Sequence, residues 1–307
     1  MPATSAIIAS HNGWHYLQRC LPKLLDQSLP FRSIVVIDNG STDHTRNLLS
    51  RQFPTIELLP LDHNYGYSGA MNHGLLHILK QNSFAYVALV NNDVYLDPDW
   101  HLNTYQALAA DAQLGSCATC LLKEQSPEIV DSAGIIWSKI GRADNYLSGN
   151  TAPSANEPVR EILGASGAAA LYRTLVFEEI GLFDPSLFAY QEDVDLALRC
   201  QTAGWKCAFI PGARGLHTGH GTNRNFPISG TYADYYNSRN RLAVLVASLP
   251  DKEWRLHWRS IIMNECVNLY ASFGEGRFVA TLCGLLRGYL RLPALLLRRL
   301  QTRKDNL

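Results

Sequence analysis

The chain has 307 residues, 47% of them hydrophobic and 18% charged, with 27 basic and 27 acidic side chains. That composition excludes a disordered chain and leaves room for one large α/β domain, or for a domain with an appendage. The charge is uneven, with ten Lys/Arg against four Asp/Glu from Lys252 onward, so the tail is basic and the body acidic. An acidic body, with the basic residues set among leucines, argues against nucleic acid as a partner.

The N-terminus, MPATSAIIASHN, has no basic region leading into an apolar signal core, so a cytoplasmic location is expected. Thr4 to Ser10 predicts a buried strand that ends in the turn His11-Asn12-Gly13. A helical pattern runs from Trp14 to about Gln27, with Leu17, Leu21, Leu24 and Leu25 on one face and a kink expected at Pro22. Ser33 to Ile37 is a second apolar strand, which stops at DNGSTD (38–43) before a helix over 45–53. This is half of a nucleotide-binding βαβ unit. A carboxylate at such a strand end reads a base or a ribose, although Asp38 serves equally as an ordinary turn residue.

Ile56 to Leu61 predicts a third strand, followed by HNYGYSGAMNHG (63–74). Its glycines allow close backbone approach, and a helix starting near Ser68 would aim its amides at an anion. No Lys follows them, so this is not a Walker A motif. Tyr86 to Val90 is a continuous apolar run that suits a strand covered on both faces. It stops at Asn91, Asn92 and Asp93. In open α/β sheets ligands bind beyond that edge, where a carboxylate can hold a metal and the phosphates it bridges; the bland alternative is a turn.

A helix over 98–111 and a strand over 114–122 follow. Cys117 and Cys120 form a lone C-x-x-C without a second pair, and the seven cysteines show no disulfide framework. Residues 131–160, rich in Gly, Ser, Asn and Pro, predict a hairpin and a mobile loop over the site. The small residues 164–170 leave room either for a sugar ring or for a closely packed helix. Glu192, Asp193 and Asp195 open a helix that ends before Gly204, where acids also serve simply as dipole partners.

A strand over 206–210 leads to GLHTGHG (215–221), whose His217 and His220 find no matching Cys or carboxylate pair for zinc. Tyr232 to Leu249 is helical, with Arg239 and Arg241 turned either to phosphate or to solvent. Phe278 to Leu297 is strongly apolar, but Arg287 and Arg291 make a membrane span too costly. With Arg298 they mark one helical face, which suits an amphipathic helix on an anionic membrane surface through 278–304, or a helix packed on the body or in a homodimer.

DNGSTD (38–43), HNYGYSGAMNHG (63–74), VNNDV (90–94) and FAYQEDVDLALR (188–199) resemble the inverting family 2 glycosyltransferases of the GT-A fold, and within them bacterial rhamnosyltransferase-like enzymes. The resemblance spans about residues 5–245. It implies a Rossmann-like, mostly parallel α/β sheet with helices on both faces over 1–249, and a helical C-terminal appendage over 250–307.

It further implies a nucleotide-sugar donor, with deoxythymidine diphosphate rhamnose the best guess, and a lipid-linked or saccharide acceptor in surface-polysaccharide synthesis. Asp38 would recognise the base, helped by Ser10 and Asn12, with Asn64, Gly69, Asn72 and Asn92 also lining the donor site. Asp93 takes the last place of a D-x-D motif whose first Asp is here Asn91, and His217 completes a Mg²⁺ or Mn²⁺ site. Asp193 is the general base, while Glu192 and Asp195 orient the acceptor or nearby backbone. Work at the inner face of the cytoplasmic membrane follows. Two other readings stand beside this one: a sugar-1-phosphate nucleotidyltransferase, for which a Gly-rich basic stretch near the N-terminus is missing, and a non-catalytic membrane-associated scaffold.

Overall fold

The computed structural model describes residues 3–138, 142–219 and 231–305. Four apolar runs become the adjacent parallel strands β1 (Thr4–Ser10), β2 (Ser33–Asp38), β3 (Glu57–Pro60) and β4 (Tyr86–Asn91). The crossovers are α1 (Trp14–Leu25), α2 (Thr45–Gln52) and α3 (Gly66–Lys80). Side chains alternate between two cores because each strand is covered on both faces. Ala6, Ile8, Val36 and Ala88 meet Leu17 and Leu21 of α1 on one side. On the other side Ile7, Val35, Ile37 and Leu89 meet Met71 and Leu75 of α3.

The chain continues through β5 (Val94–Leu96), α4 (Trp100–Ala110), β6 (Leu114–Lys123), β7 (Ser126–Ser132), β8 (Ile135–Trp137), β9 (Ala143–Asn145), β10 (Arg160–Ile162) and β11 (Ala169–Arg173). Then come α5 (Thr174–Ile180), a 3-10 turn at Pro185–Leu187, α6 (Glu192–Thr202) and β12 (Lys206–His217). The ten-stranded sheet has the order β10-β12-β6-β11-β4-β1-β2-β3, with β5 on β12 and β7 on β6. Along that order only β10 and β11 run against the rest. The sheet order reverses beside β1, whose neighbours are β4 and β2, and this is where an open α/β sheet forms its crevice.

Some sequence expectations shift. The last strand extends to His217 instead of stopping at Ile210, because β5, too short to be read from the sequence, pairs with its far end at Gly215–His217. The predicted small-residue strand begins only at Ala169, and Gly164 supports the close-packing reading, since a Cβ there would lie 2.2 Å from that of Ala197. Cys117 and Cys120 are both buried, in opposite core layers, which removes any shared metal or redox role.

Four helices close the chain: α7 (Thr231–Ser248), α8 (Asp251–Gly274), α9 (Phe278–Leu290) and α10 (Leu292–Asp305). The predicted single helix over 278–297 is broken at Arg291, which donates to Ser186 Oγ at 2.6 Å on the surface. Val194 and Leu198 of α6 share a core with Val244 and Leu245 of α7, Ile261 of α8 and Leu295 of α10, which seats the C-terminal helices against the body.

Candidate active site

The polar strand ends come together at one edge of the sheet. Register puts Ser10 beside Asp38 and Ala9 beside Asn91. Asn12, at φ 49°, closes the first turn onto the second: its Oδ1 accepts from Thr42 N at 2.8 Å, and its own amide donates to Ser41 Oγ at 2.9 Å. Asn92 Nδ2 donates to Ser10 Oγ at 2.9 Å, tying the fourth strand end to the first. Asp38 is fully buried; one oxygen accepts from Arg46, and Oδ1 has no partner among the described residues. An unmet acceptor in a slot of this kind suits an imide N–H of a pyrimidine base.

The glycine-rich stretch has structural contacts of its own. Asn64 Oδ1 accepts from Gly66 N at 2.8 Å and from Asn39 Nδ2 at 3.0 Å, so it caps α3. Both amide atoms of Asn72 engage Phe183, at 2.9 and 3.0 Å, which directs it to the 183–191 loop. Gly66 has φ 71°, and a Cβ there would come within 2.4 Å of Phe188 O, so a side chain is excluded. Gly69 fits closely against Tyr65. One first-turn amide of α3, that of Ser68, is already taken by Phe188 O at 3.1 Å.

Asp93 lies buried in the turn between β4 and β5, and the pairing of β5 with β12 sets His217 opposite Val94. His217 Nε2 is 3.5 Å from Asp93 Oδ1, and Nδ1 is 2.7 Å from Asp131 Oδ2. Burial opposes the imidazolium, but hydrogen bonds to Asp131 and Asp93, with their charges, outweigh it and lift the His217 pKa to about 9. Among the described residues no group of three His, Cys, Asp or Glu forms a ready-made metal cage. The donor set nonetheless fits a cation carried by a diphosphate: one carboxylate, and one imidazole whose far nitrogen is fixed by a second carboxylate. Asp131 was missed because it falls in a Gly/Ser-rich stretch that reads as loop. His220 lies outside the described residues.

Asp193 reaches the same edge through the backbone. Its Oδ2 accepts from Gly167 N at 3.0 Å and its Oδ1 from Val194 N at 2.8 Å, while Ala168 O accepts from Asn91 N at 2.8 Å. The candidate base and the metal turn are thus joined through two adjacent residues. Tyr67, missed in the sequence, donates to Gly167 O at 2.6 Å, and burial with Glu192 and Asp193 nearby pushes its phenol far above the usual range.

Burial also raises both Glu192 and Asp193. Two backbone amides stabilise the Asp193 carboxylate, whereas Glu192 Oε2 has no partner among the described residues. Burial pushes Glu192 up to about 8, while at Asp193 the amides of Gly167 and Val194 oppose the rise and favour the carboxylate form that base work needs. Between its ordinary value of 4.5 and about 8, Glu192 ionises only in the unfolded chain, so stability falls as pH rises. Glu192→Gln is expected to flatten that slope in urea unfolding between about pH 5 and pH 8. An unchanged slope would refute the assignment.

Asp195 acts on nearby backbone through Arg199: it accepts from Arg199 Nε at 2.9 Å and from Ser248, and Arg199 Nη1 donates to Ile180 O at 3.0 Å. Just before the acids, Phe188, Tyr190 and Gln191 all have positive φ, at 65°, 68° and 70°. Such residues persist only where neighbours hold them, and they gather at functional sites. The holder is buried Asn240 of α7, whose Nδ2 donates at 2.8 Å to the carbonyls of Leu187, Ala189 and Tyr190. Asn240→Ala is expected to cost on the order of 2 kcal/mol and to speed amide exchange over 187–191. A loss under about 0.5 kcal/mol with unchanged exchange would contradict this clamp.

Known proteins show the same arrangement of sequence and fold. The sequence profile of Glycosyl transferase family 2 matches residues 5–181, and that of Glycosyl transferase family group 2 matches residues 138–297. An N-acetylglucosaminyl-diphospho-decaprenol L-rhamnosyltransferase of Mycobacterium tuberculosis is 28% identical over 215 residues, 63% of this chain and 69% of that protein. The Rhamnosyltransferase WbbL of Escherichia coli is 23% identical over 243 residues, 72% of this chain and 85% of its own. Among solved structures, the Mannosyltransferase PcManGT from Pyrobaculum calidifontis, in complex with GDP-Man and Mn²⁺, has a TM-score of 0.58 at 15% identity, covering 97% of this chain and 84% of its own. GalNAc-T7 with UDP, GalNAc and Mn²⁺ has a TM-score of 0.62 at 16% identity over 80% of this chain, which spans 49% of that protein. These two establish the fold as that of GT-A glycosyltransferases. The family profile covers more than half of the sequence, and the chain belongs to glycosyl transferase family 2.

Proposed function

We propose that this glycosyltransferase moves rhamnose from deoxythymidine diphosphate rhamnose to a hydroxyl of a lipid-linked or saccharide acceptor in bacterial surface-polysaccharide synthesis, with inversion. The observation that carries it is the joint between Asp193 and the Asn91–Asp93 turn through Gly167–Ala168. Asp38, Ser10 and Asn12 receive the base and its ribose. Asp93 and His217, once its Nε2 proton is displaced, would hold Mg²⁺ or Mn²⁺, which when bound supplies charge neutralisation for the departing diphosphate. Asp193 takes the acceptor hydroxyl's proton as that oxygen attacks, so no covalent intermediate is needed. The rhamnosyl names of the two relatives support the sugar, and the Mn²⁺ in the two structural neighbours supports the metal.

Residues 1–249 perform transfer in this reading, and 250–307 form the helical region beside it. No described helix is long and apolar enough to cross a membrane. Val279, Leu286 and Leu290 stand exposed with Arg287, which supports contact of the 278–304 region with the inner face of the cytoplasmic membrane. The test is a thermal-shift screen of deoxythymidine and uridine diphosphate sugars with and without Mn²⁺, since a ligand specific for the folded state raises its apparent stability. Deoxythymidine diphosphate rhamnose is expected to give the largest metal-dependent shift. A larger shift with another sugar would overturn the donor assignment.

A further inference from the structure

A cavity of about 280 Å³ lies where the β8–β9 hairpin, the start of α6 and the helices α7, α8 and α9 converge. Its wall includes Gln191, the residue just before the Glu192–Asp193 pair, whose Nε2 donates at 3.0 Å to Asn237 on the same wall. The cavity therefore adjoins the loop that presents the candidate base. It is at the small end of ligand sites and suited to one ring instead of a long chain.

The charges of the wall are matched. Arg142 pairs with Asp144 at 2.6 Å, Arg241 with Glu265 at 2.7 Å, and Arg277 with Asp234 at 2.7 Å. A site built for a phosphate would leave guanidinium charge unspent, and here each has a carboxylate. Four buried atoms of the wall lack a hydrogen-bond partner among the described residues, two donors (Trp137 Nε1 and Arg142 Nε) and two acceptors (Asp234 Oδ2 and Glu265 Oε1), so what is unmet is neutral in balance. A hydroxyl both donates and accepts, and an indole offers a flat apolar face. Trp137, Asp234 and Asn268, another cavity residue, together suit a hydroxylated ring.

We propose that this cavity binds an acceptor sugar ring adjoining the one that reacts at Asp193, as a neutral saccharide subsite that leaves any acceptor phosphate outside. The proposal rests on the transferase reading and names where its second substrate sits. Ala271, exposed on α8 at the cavity wall, allows a blocking variant that removes no buried contact.

The test uses the full chain and saturation-transfer NMR, which reads weak binding, with methyl glycosides of glucose, galactose, mannose, rhamnose and N-acetylglucosamine as probes. Nucleoside diphosphate with Mn²⁺ is titrated separately. At least one glycoside is expected to give signal, and Ala271→Trp and Asp234→Asn are each expected to weaken it at least tenfold while nucleotide affinity is unchanged. Asp234→Asn carries the result if the larger substitution fails to fold. Signal that survives both variants, or no signal from any glycoside, overturns the subsite. Absence of nucleotide binding in the unaltered chain would instead fault the transferase reading, and the cavity would be judged on the glycosides alone.

Discussion

Asp193→Asn is expected to lower transfer by roughly 10²–10⁴-fold, the usual share of a positioned base, while leaving nucleotide affinity unchanged. The substitution keeps shape and one oxygen, so the hydrogen bond from either Gly167 or Val194 survives and the start of α6 stays in place. What is lost is the ionised group. Glu192 is the obvious rival, being adjacent and more deeply buried, but burial raises it to about 8 and its Oε2 has no donor among the described residues. Glu192→Gln should therefore retain most of the activity. Near-normal turnover in Asp193→Asn, or collapse in Glu192→Gln alone, would exchange the roles of the two acids.

The second large effect is expected at Asp93. Asn91 occupies the place of the first carboxylate in the motif, so the turn offers one anion to a cation where two would share the work. Asp93→Ala should abolish turnover and remove the Mn²⁺-dependent part of nucleotide binding, measured by calorimetry with and without the metal. It also strips His217 of one of the carboxylates that hold its pKa near 9, so the imidazolium weakens. Metal-dependent nucleotide binding that persists in Asp93→Ala would show that the cation is held elsewhere.

The parallel half of the sheet was legible because its strands are unbroken apolar runs that stop sharply at Asp38 and at Asn91–Asp93, and one edge collects such endings. The motif residues then marked the two ends of the candidate site. Other parts resisted for physical reasons. Asp131 and His217 are brought together by strands that pair only through the long mixed half of the sheet, so no local pattern joins them. Asn240 looks like any polar position on a helix, yet it holds three carbonyls of a strained loop fifty residues earlier. Helix α8 exposes Leu256, Met263, Tyr270 and Phe273 while burying Asn264 and Ser272, which inverts the pattern that marks an ordinary surface helix. Asn72 was opaque for a related reason: on a glycine-rich helix start it looks like a ligand donor, and no local pattern shows that its amide bonds the backbone of Phe183.

The central claim is spatial, that a metal-bound diphosphate sits between the base slot at Asp38 and the carboxylate of Asp193. Anomalous diffraction from crystals soaked with Mn²⁺ and deoxythymidine diphosphate tests it most directly. The account predicts one strong peak between Asp93 and His217, with the diphosphate beside it and the thymine against Asp38. A peak remote from Asp93, or a nucleotide seated away from the carboxyl ends of β1, β2 and β4, would contradict it.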